Sequence, residues 1–127
     1  MPDTRTGPTL ALVVEDDPAT RALETDVLVE GGFNVLEARN GEDALRLAQE
    51  KQPGVVLLDI ALPSVSGFDV LRTLKSRSIT SQIPVVLVSA YAGLVEDCER
   101  RGATACVQKP FDIDKLLAEV RVVLHLA

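Results

Sequence analysis

Short apolar runs alternate along the chain with segments in which apolar residues recur at helical spacing. Some of the runs, such as residues 55–58, are apolar throughout, as expected of strands that are buried on both faces. Asp17-Pro18 is typical of a helix start, and Gly31-Gly32 is typical of a helix end. The predicted strands are 9–14, 34–38, 55–58, 83–88 and 104–108, and the predicted helices are 18–30, 41–51, 67–76, 92–101 and 112–124.

This βα alternation predicts a single α/β domain. Strands that are apolar on both faces belong in a parallel sheet covered by helices on two sides. With right-handed crossovers, five βα units fold most economically as a doubly wound, three-layer (βα)5 sandwich. The length of 127 residues fits one domain. We expect a flexible tail over residues 1–8 and the domain over residues 9–126.

Composition and charge exclude several classes of protein. Hydrophobic residues make up 46% and charged residues 25%, as in an ordinary globular domain. The net charge of −6 repels phosphate backbones, so we expect no direct nucleic-acid partner. No apolar run approaches the roughly 18 residues of a membrane span, so we expect no membrane association. Cys98 and Cys106 lack metal-ligand spacing and fit the reduced thiols of a cytoplasmic protein.

Polar side chains of reactive kinds stand where four of the predicted strands end. Glu15 and Asp16 follow the first strand, Asp59 follows the third, Ser89 the fourth and Lys109 the fifth. A parallel sheet brings the carboxyl ends of its strands to one edge, where ligands bind. The sequence therefore predicts that these five side chains gather in one site.

Such a set of side chains is suited to phosphoryl transfer. Three converging carboxylates raise one another's pKa unless a hard divalent cation such as Mg²⁺ binds among them. Lys109 supplies a positive charge for a phosphate oxygen, and Ser89 supplies a hydroxyl donor. Asp59, in the middle of the set, would be the nucleophile, because a carboxylate can form an aspartyl phosphate.

Four segments that carry these residues resemble motifs of bacterial two-component response-regulator receiver domains, the CheY-like superfamily. The segments are the acidic pair VVEDDP (13–18), the phosphoacceptor segment LLDIALPSVSG (57–67), the hydroxyl-switch segment LVSAYA (87–92) and the Lys-Pro motif QKPF (108–111). The resemblance covers about residues 10–124. It implies a flavodoxin-like, five-stranded parallel sheet of order 2-1-3-4-5.

The resemblance also implies a phosphorylation site and a metal site. Asp59 would accept a phosphoryl group from a histidine kinase or a His-containing phosphotransfer protein. Asp16 and Asp59 would bind Mg²⁺ directly, Glu15 would act through a water molecule, and the backbone carbonyl of Ala61 would complete the site. Ser89 and Lys109 would hold the phosphoryl oxygens.

Two further features concern the conformational switch. The peptide between Lys109 and Pro110 is cis in the family, which would point Lys109 into the site. Cys106 stands where receiver domains usually carry a Tyr or Phe whose ring turns inward on phosphorylation, and a small thiol cannot fill that volume. We therefore hypothesise that Tyr91, two residues after Ser89, gates the site or the output surface instead.

The leading interpretation is a signalling switch rather than an enzyme. Phosphorylation would change the face formed by helix 4, strand 5 and helix 5, and so control a downstream effector protein or an output domain absent from this sequence. Thr104-Ala105 stands where winged-helix regulators usually carry an Asp pair used in dimers, so we expect a monomer or weak dimer.

One alternative is a receiver-like binding module that works without phosphorylation. Another is a small phosphatase with an Asp nucleophile, although Ala61 offers no second acid.

Overall fold

Five strands and five helices alternate along the chain. The structure is a computed structural model that describes residues 8–125, apart from the side chain of Glu99. Residues 1–7 of the predicted tail and residue 126 of the predicted domain lie outside the described residues. The strands are β1 (Leu10–Val14), β2 (Asn34–Ala38), β3 (Val55–Leu58), β4 (Val85–Ser89) and β5 (Ala105–Gln108), and the helices are α1 (Pro18–Glu30), α2 (Gly41–Lys51), α3 (Gly67–Ser76), α4 (Leu94–Arg100) and α5 (Ile113–Val123).

The first half of the chain follows its local signals closely. α1, β2, α2, β3 and α3 begin and end at the predicted residues. Asp17 caps α1 by accepting a 2.9 Å hydrogen bond from the Thr20 amide, and Asn40 caps α2 by accepting one of 2.8 Å from the Asp43 amide. These caps satisfy amide groups that the first helical turn leaves without partners, which is why the boundaries could be predicted locally.

β4 begins two residues later than predicted, at Val85 instead of residue 83, and it includes Ser89 at its end. Pro84 has no N–H, and the N–H of Ile83 donates to the carbonyl of Thr80 at 3.0 Å in the turn after α3. Neither residue can therefore donate to the sheet. At the other end, Ser89 pairs with Gln108, so the ladder runs one residue beyond the predicted 88.

α4 is shorter than predicted, at Leu94–Arg100 instead of residues 92–101. The Leu94 amide donates to the carbonyl of Tyr91 at 3.2 Å, so a turn precedes the helix. After the helix, the Ala103 amide reaches back to the carbonyl of Cys98 at 3.1 Å, and Gly102 has φ +88°. Glycine adopts this left-handed conformation without strain. β1 and β5 each begin one residue later than predicted, and α5 is one residue shorter than predicted at each end.

The sheet is parallel throughout and has the expected order β2-β1-β3-β4-β5. Successive side chains of β1 point to opposite faces: Leu12 packs on one side with residues of α2, α3 and α4, and Val13 on the other with residues of α1 and α5. Residues of both clusters are almost fully buried. Among the described residues, no helix has the length and apolar character needed to span a bilayer.

Candidate functional site

Three carboxylates meet at the carboxyl edge of the sheet. Glu15 and Asp16 follow β1 directly, and Asp59 follows the neighbouring strand β3. The Asp59 amide donates a 3.0 Å hydrogen bond to the carbonyl of Val14. One oxygen from each carboxylate lies within 4.8 Å of the others. Glu15 and Asp59 are buried, whereas Asp16 is exposed. The predicted convergence of these three residues is present in the structure.

Lys109 enters this acidic cluster from the end of β5. Its Nζ donates to Glu15 Oε1 at 2.6 Å and lies 3.5 Å from Asp59 Oδ2. Burial lowers the pKa of Lys109, but the hydrogen bond that its ammonium donates to Glu15 and the negative charge of Asp59 outweigh this effect, so the pKa is raised overall. The Lys109–Pro110 peptide is cis, as expected. The lysine therefore remains a cation at neutral pH, in contact with the carboxylates.

Ser89 lies at the same edge, at the end of β4. It is buried, and its Oγ accepts a 3.3 Å hydrogen bond from the Tyr91 amide. The backbone carbonyl of Ser89 accepts a hydrogen bond of 2.9 Å from the Lys109 amide, which ties β4 to the start of the Lys-Pro turn. Its predicted contact with a phosphoryl oxygen stays a prediction.

The loop between β3 and α3 closes tightly over Asp59. The Ala61 amide donates to Asp59 Oδ1 at 3.4 Å, whereas the predicted metal-binding role of the Ala61 carbonyl stays a prediction. The Gly67 amide donates to the carbonyl of Ile60 at 2.8 Å. A Cβ at Gly67 would overlap the carbonyl oxygen of Asp59 and lie 2.6 Å from the Ile60 Cα, so only glycine fits here.

Tyr91 contacts residues of α3 and α4 beside the site. Its hydroxyl donates to Asp97 Oδ2 at 3.0 Å, and its ring meets the edge of Phe68 with 5.9 Å between centroids. The guanidinium of Arg101 lies 4.0 Å from the centroid of the Phe68 ring. Cys106, half-buried in β5, packs against the apolar cluster on this face of the sheet. The gating role of Tyr91 stays a prediction, and the hydrogen bond to Asp97 links its side chain directly to α4.

Sequence reasoning missed two buried polar residues on α1. Arg21 and Glu24 are 9% and 2% exposed, and both lie toward the acidic cluster. Burial, followed by the charge of Glu15, raises the pKa of Glu24 to about 8, although Lys109 opposes the shift. The available signal was their spacing, because Arg21, Glu24 and Leu28 continue one face of the helix at i, i+3 and i+7.

The donor set fits a hard divalent cation. All three side chains offer carboxylate oxygens, the ligands that Mg²⁺ prefers, and none offers sulfur or imidazole nitrogen. The cluster has three carboxylates, and Lys109 contacts only Glu15 and Asp59, so the cluster retains negative charge that a cation would neutralise. The exposure of Asp16 leaves an open side to the cluster.

Comparison with known proteins decides the family. The sequence profile of the response regulator receiver domain matches residues 11–121. The chain belongs to this family. Receiver domains of two-component response regulators are phosphoacceptors that switch on phosphorylation, and they bind Mg²⁺ at an acidic site.

Curated relatives match over nearly their whole length. The chain is 34% identical to the polar-differentiation response regulator DivK of Brucella anthropi, covering 90% of this chain and 94% of the relative. It is 36% identical to the protein PilH of Pseudomonas aeruginosa, covering 89% and 95%. These similarities confirm the predicted CheY-like family.

A solved structure supports the fold independently. The receiver domain of a sensor histidine kinase from Pseudomonas aeruginosa superposes with a TM-score of 0.84 at 24% identity, covering 91% of this chain and 97% of that one. That domain was crystallised with a magnesium ion coordinated in its active-site cleft. At this level of identity the likeness shows the fold, and the predicted flavodoxin-like order 2-1-3-4-5 is confirmed.

Proposed function

We propose that Asp59 of this receiver domain accepts a phosphoryl group from the phosphohistidine of a histidine kinase or a His-containing phosphotransfer protein. A carboxylate oxygen of Asp59 forms a bond to phosphorus as the bond from phosphorus to the histidine nitrogen breaks, and the imidazole leaves with that electron pair. The cytoplasm is the compartment that we propose for this exchange.

The observation that carries this proposal is the position of Lys109. Its ammonium group lies 3.5 Å from Asp59 Oδ2 while it is hydrogen-bonded to Glu15. An incoming phosphoryl group on Asp59 brings negative oxygens to the place where this cation already lies. Lys109 can then exchange Glu15 for a phosphoryl oxygen, and so stabilise both the transfer and its product.

The acidic cluster supports a Mg²⁺ site in this proposal. Asp16 and Asp59 would bind the ion directly, Glu15 would act through a water molecule, and the Ala61 carbonyl would complete the protein ligands. Bound there, Mg²⁺ would offset the charge of the phosphoryl oxygens. Neighbouring residues also hold Asp59 in place. The Ala61 amide donates to its Oδ1, and the Gly67 amide donates to the carbonyl of Ile60, which closes the loop after Asp59.

The proposed output is a change in the face formed by α4, β5 and α5. Phosphorylation adds charge and strong acceptor oxygens beside Ser89, whose Oγ now accepts from the Tyr91 amide. If Ser89 turns toward the phosphoryl group, the Tyr91 backbone loses that partner, and the Tyr91 side chain can pass the change to Asp97 of α4. An effector protein, or an output domain outside this sequence, would bind one of the two populations.

Chemical phosphorylation tests the proposal. We expect the protein, incubated with Mg²⁺ and acetyl phosphate, to gain one phosphoryl group by intact mass, and Asp59→Asn to gain none. Asp26→Asn, which changes an exposed aspartate of α1, is the matched control and should be phosphorylated like the wild type. A wild type that gains nothing, even with its kinase, would favour the phosphorylation-independent binding module. Continuous hydrolysis of a phosphate ester would favour the phosphatase instead.

A further inference from the structure

α1 presents polar side chains to the protein interior at two successive turns. Arg21 and Glu24 are three residues apart and therefore lie on one face of the helix. The same face continues as Val27 and Leu28, which belong to the apolar cluster. Burying two ionisable groups where apolar side chains would fit costs stability unless they are well paired.

Arg21 holds the backbone of the acidic pair. Its Nη1 donates to the carbonyl of Glu15 at 3.0 Å and to the carbonyl of Asp16 at 3.3 Å. The Nε atom lies 4.0 Å from Glu37 Oε1 on β2, which anchors the guanidinium from the other side. Two consecutive carbonyls bound by one rigid group fix the direction in which the Glu15 and Asp16 side chains leave the chain.

Glu24 holds the side chain of Glu15. Burial raises the pKa of Glu24, followed by the charge of Glu15 and a hydrogen bond between the two carboxyl groups, and Glu24 Oε1 is buried without a partner among the described residues. Glu15 also accepts from Lys109 Nζ at 2.6 Å and from the Asp17 amide at 3.1 Å. The Glu15 carboxylate is thus held from three directions, and Glu24 supplies the contact from the helix.

We propose that Arg21 and Glu24 are positioning residues of the receiver site, which hold Glu15 and Asp16 in the arrangement that binds a divalent cation beside Asp59. This inference rests on the proposed function, because it assigns these residues to the same phosphoryl-accepting site. The alternative is that both side chains only fill space under α1. The two views differ in what happens when Glu24 becomes apolar.

Glu24→Leu separates positioning from packing. Leucine removes a buried carboxyl with an unpartnered oxygen, so the urea midpoint measured without Mg²⁺ should rise. The positioning contact to Glu15 is lost at the same time, and the Kd for Mg²⁺, measured by titration calorimetry, should rise roughly tenfold. Glu24→Gln keeps a donor that can reach Glu15 and should retain nearly the wild-type affinity.

Arg21 is tested in parallel. Arg21→Met should raise the Kd for Mg²⁺ roughly tenfold, and Arg21→Lys should recover part of the loss because an ammonium can still donate to a carbonyl. Arg46→Met and Glu50→Leu, which alter exposed residues of α2, are the matched controls and should leave the affinity unchanged. The rate of adduct formation with acetyl phosphate should follow the Mg²⁺ affinity across the series.

The outcomes distinguish this inference from the proposed function. A wild type that forms the adduct, with variants whose Mg²⁺ affinity stays within about twofold of it, would overturn the positioning roles alone. A lowered urea midpoint in Glu24→Leu would show that the buried carboxyl stabilises the fold, and would overturn the view that Glu24 costs stability and serves to position Glu15. A wild type that neither binds Mg²⁺ nor forms the adduct would overturn both the proposed function and this inference. Higher stability together with weaker Mg²⁺ binding in Glu24→Leu would support it.

Discussion

The Lys109 ammonium donates a 2.6 Å hydrogen bond to Glu15, a residue 94 positions earlier in the chain. Among the described residues, Lys109 is the only one whose cationic side chain forms ion pairs with the carboxylates of the acidic cluster. A lysine and a divalent cation compete for the same negative charge, although both are needed when the phosphoryl group arrives.

Replacing Lys109 by methionine should therefore have opposite effects on two measurements. We expect Lys109→Met to bind Mg²⁺ more tightly by about 1 kcal/mol, roughly fivefold in Kd, because a nearby positive charge is removed. Adduct formation with acetyl phosphate should slow, since the phosphoryl oxygens lose a partner. Titration calorimetry and intact mass give the two values, and Lys115→Met, an exposed lysine of α5, serves as the control. Unchanged Mg²⁺ affinity would show that Lys109 does not oppose the cation.

A methyl group at Gly67 should disturb the loop that carries Asp59. The added Cβ meets backbone atoms of Asp59 and Ile60, which cannot move aside as a side chain can. We expect Gly67→Ala to lower the free energy of unfolding by about 3 kcal/mol, measured in urea. In Gly31→Ala the added atom meets the flexible end of Leu117 at 2.6 Å, so the loss should be smaller. Equal losses of unfolding free energy in both variants would mean that the loop after Asp59 can shift to accommodate the added methyl group.

Two variants of Tyr91 separate its hydroxyl from its ring. Tyr91→Phe loses the hydrogen bond to Asp97 but keeps the contact with Phe68, and should cost about 0.5 kcal/mol of stability because the side chain is half-exposed. Tyr91→Ala loses both contacts and should also change the lifetime of the aspartyl phosphate and the affinity for a partner. The gating hypothesis fails if Tyr91→Ala leaves the lifetime and the affinity as they are.

The raised pKa of Glu24 predicts a pH-dependent stability. In the fold this carboxyl binds its proton until about pH 8, whereas its ordinary value is 4.5. Its stabilising contribution is therefore complete below pH 4.5 and is lost as the pH rises through about 8. The groups that face it are Glu15, Lys109 and Asp59, of which only Lys109 favours ionisation.

Comparison with Glu24→Gln isolates this contribution, because glutamine does not titrate. Measured in urea with a metal chelator, the wild type should lose stability relative to Glu24→Gln between pH 4.5 and about 8. The slope should approach about 1.4 kcal/mol per pH unit, the value for one proton. A difference that does not vary with pH would show that Glu24 is ionised throughout.

The sequence by itself determined the elements and the edge at which the reactive residues stand. Five βα units could be predicted because apolar periodicity and caps such as Asp17 and Asn40 act within one or two helical turns. The placement of Asp59 and Lys109 at one edge followed from the parallel sheet alone. The start of β4 was predicted two residues early because the turn that uses the Ile83 amide was overlooked.

Only the tertiary structure decided which of these groups touch and which protonation states they hold. The partner of Lys109 depends on the fold of the whole sheet, because Glu15 follows β1, Lys109 follows β5, and their 2.6 Å contact joins distant parts of the chain. The state of Glu24 depends on desolvation beneath α1 and on the charge of Glu15, and no local pattern in the sequence contains either quantity. Periodicity is a property of neighbours in the chain, whereas electrostatics and burial are properties of neighbours in space.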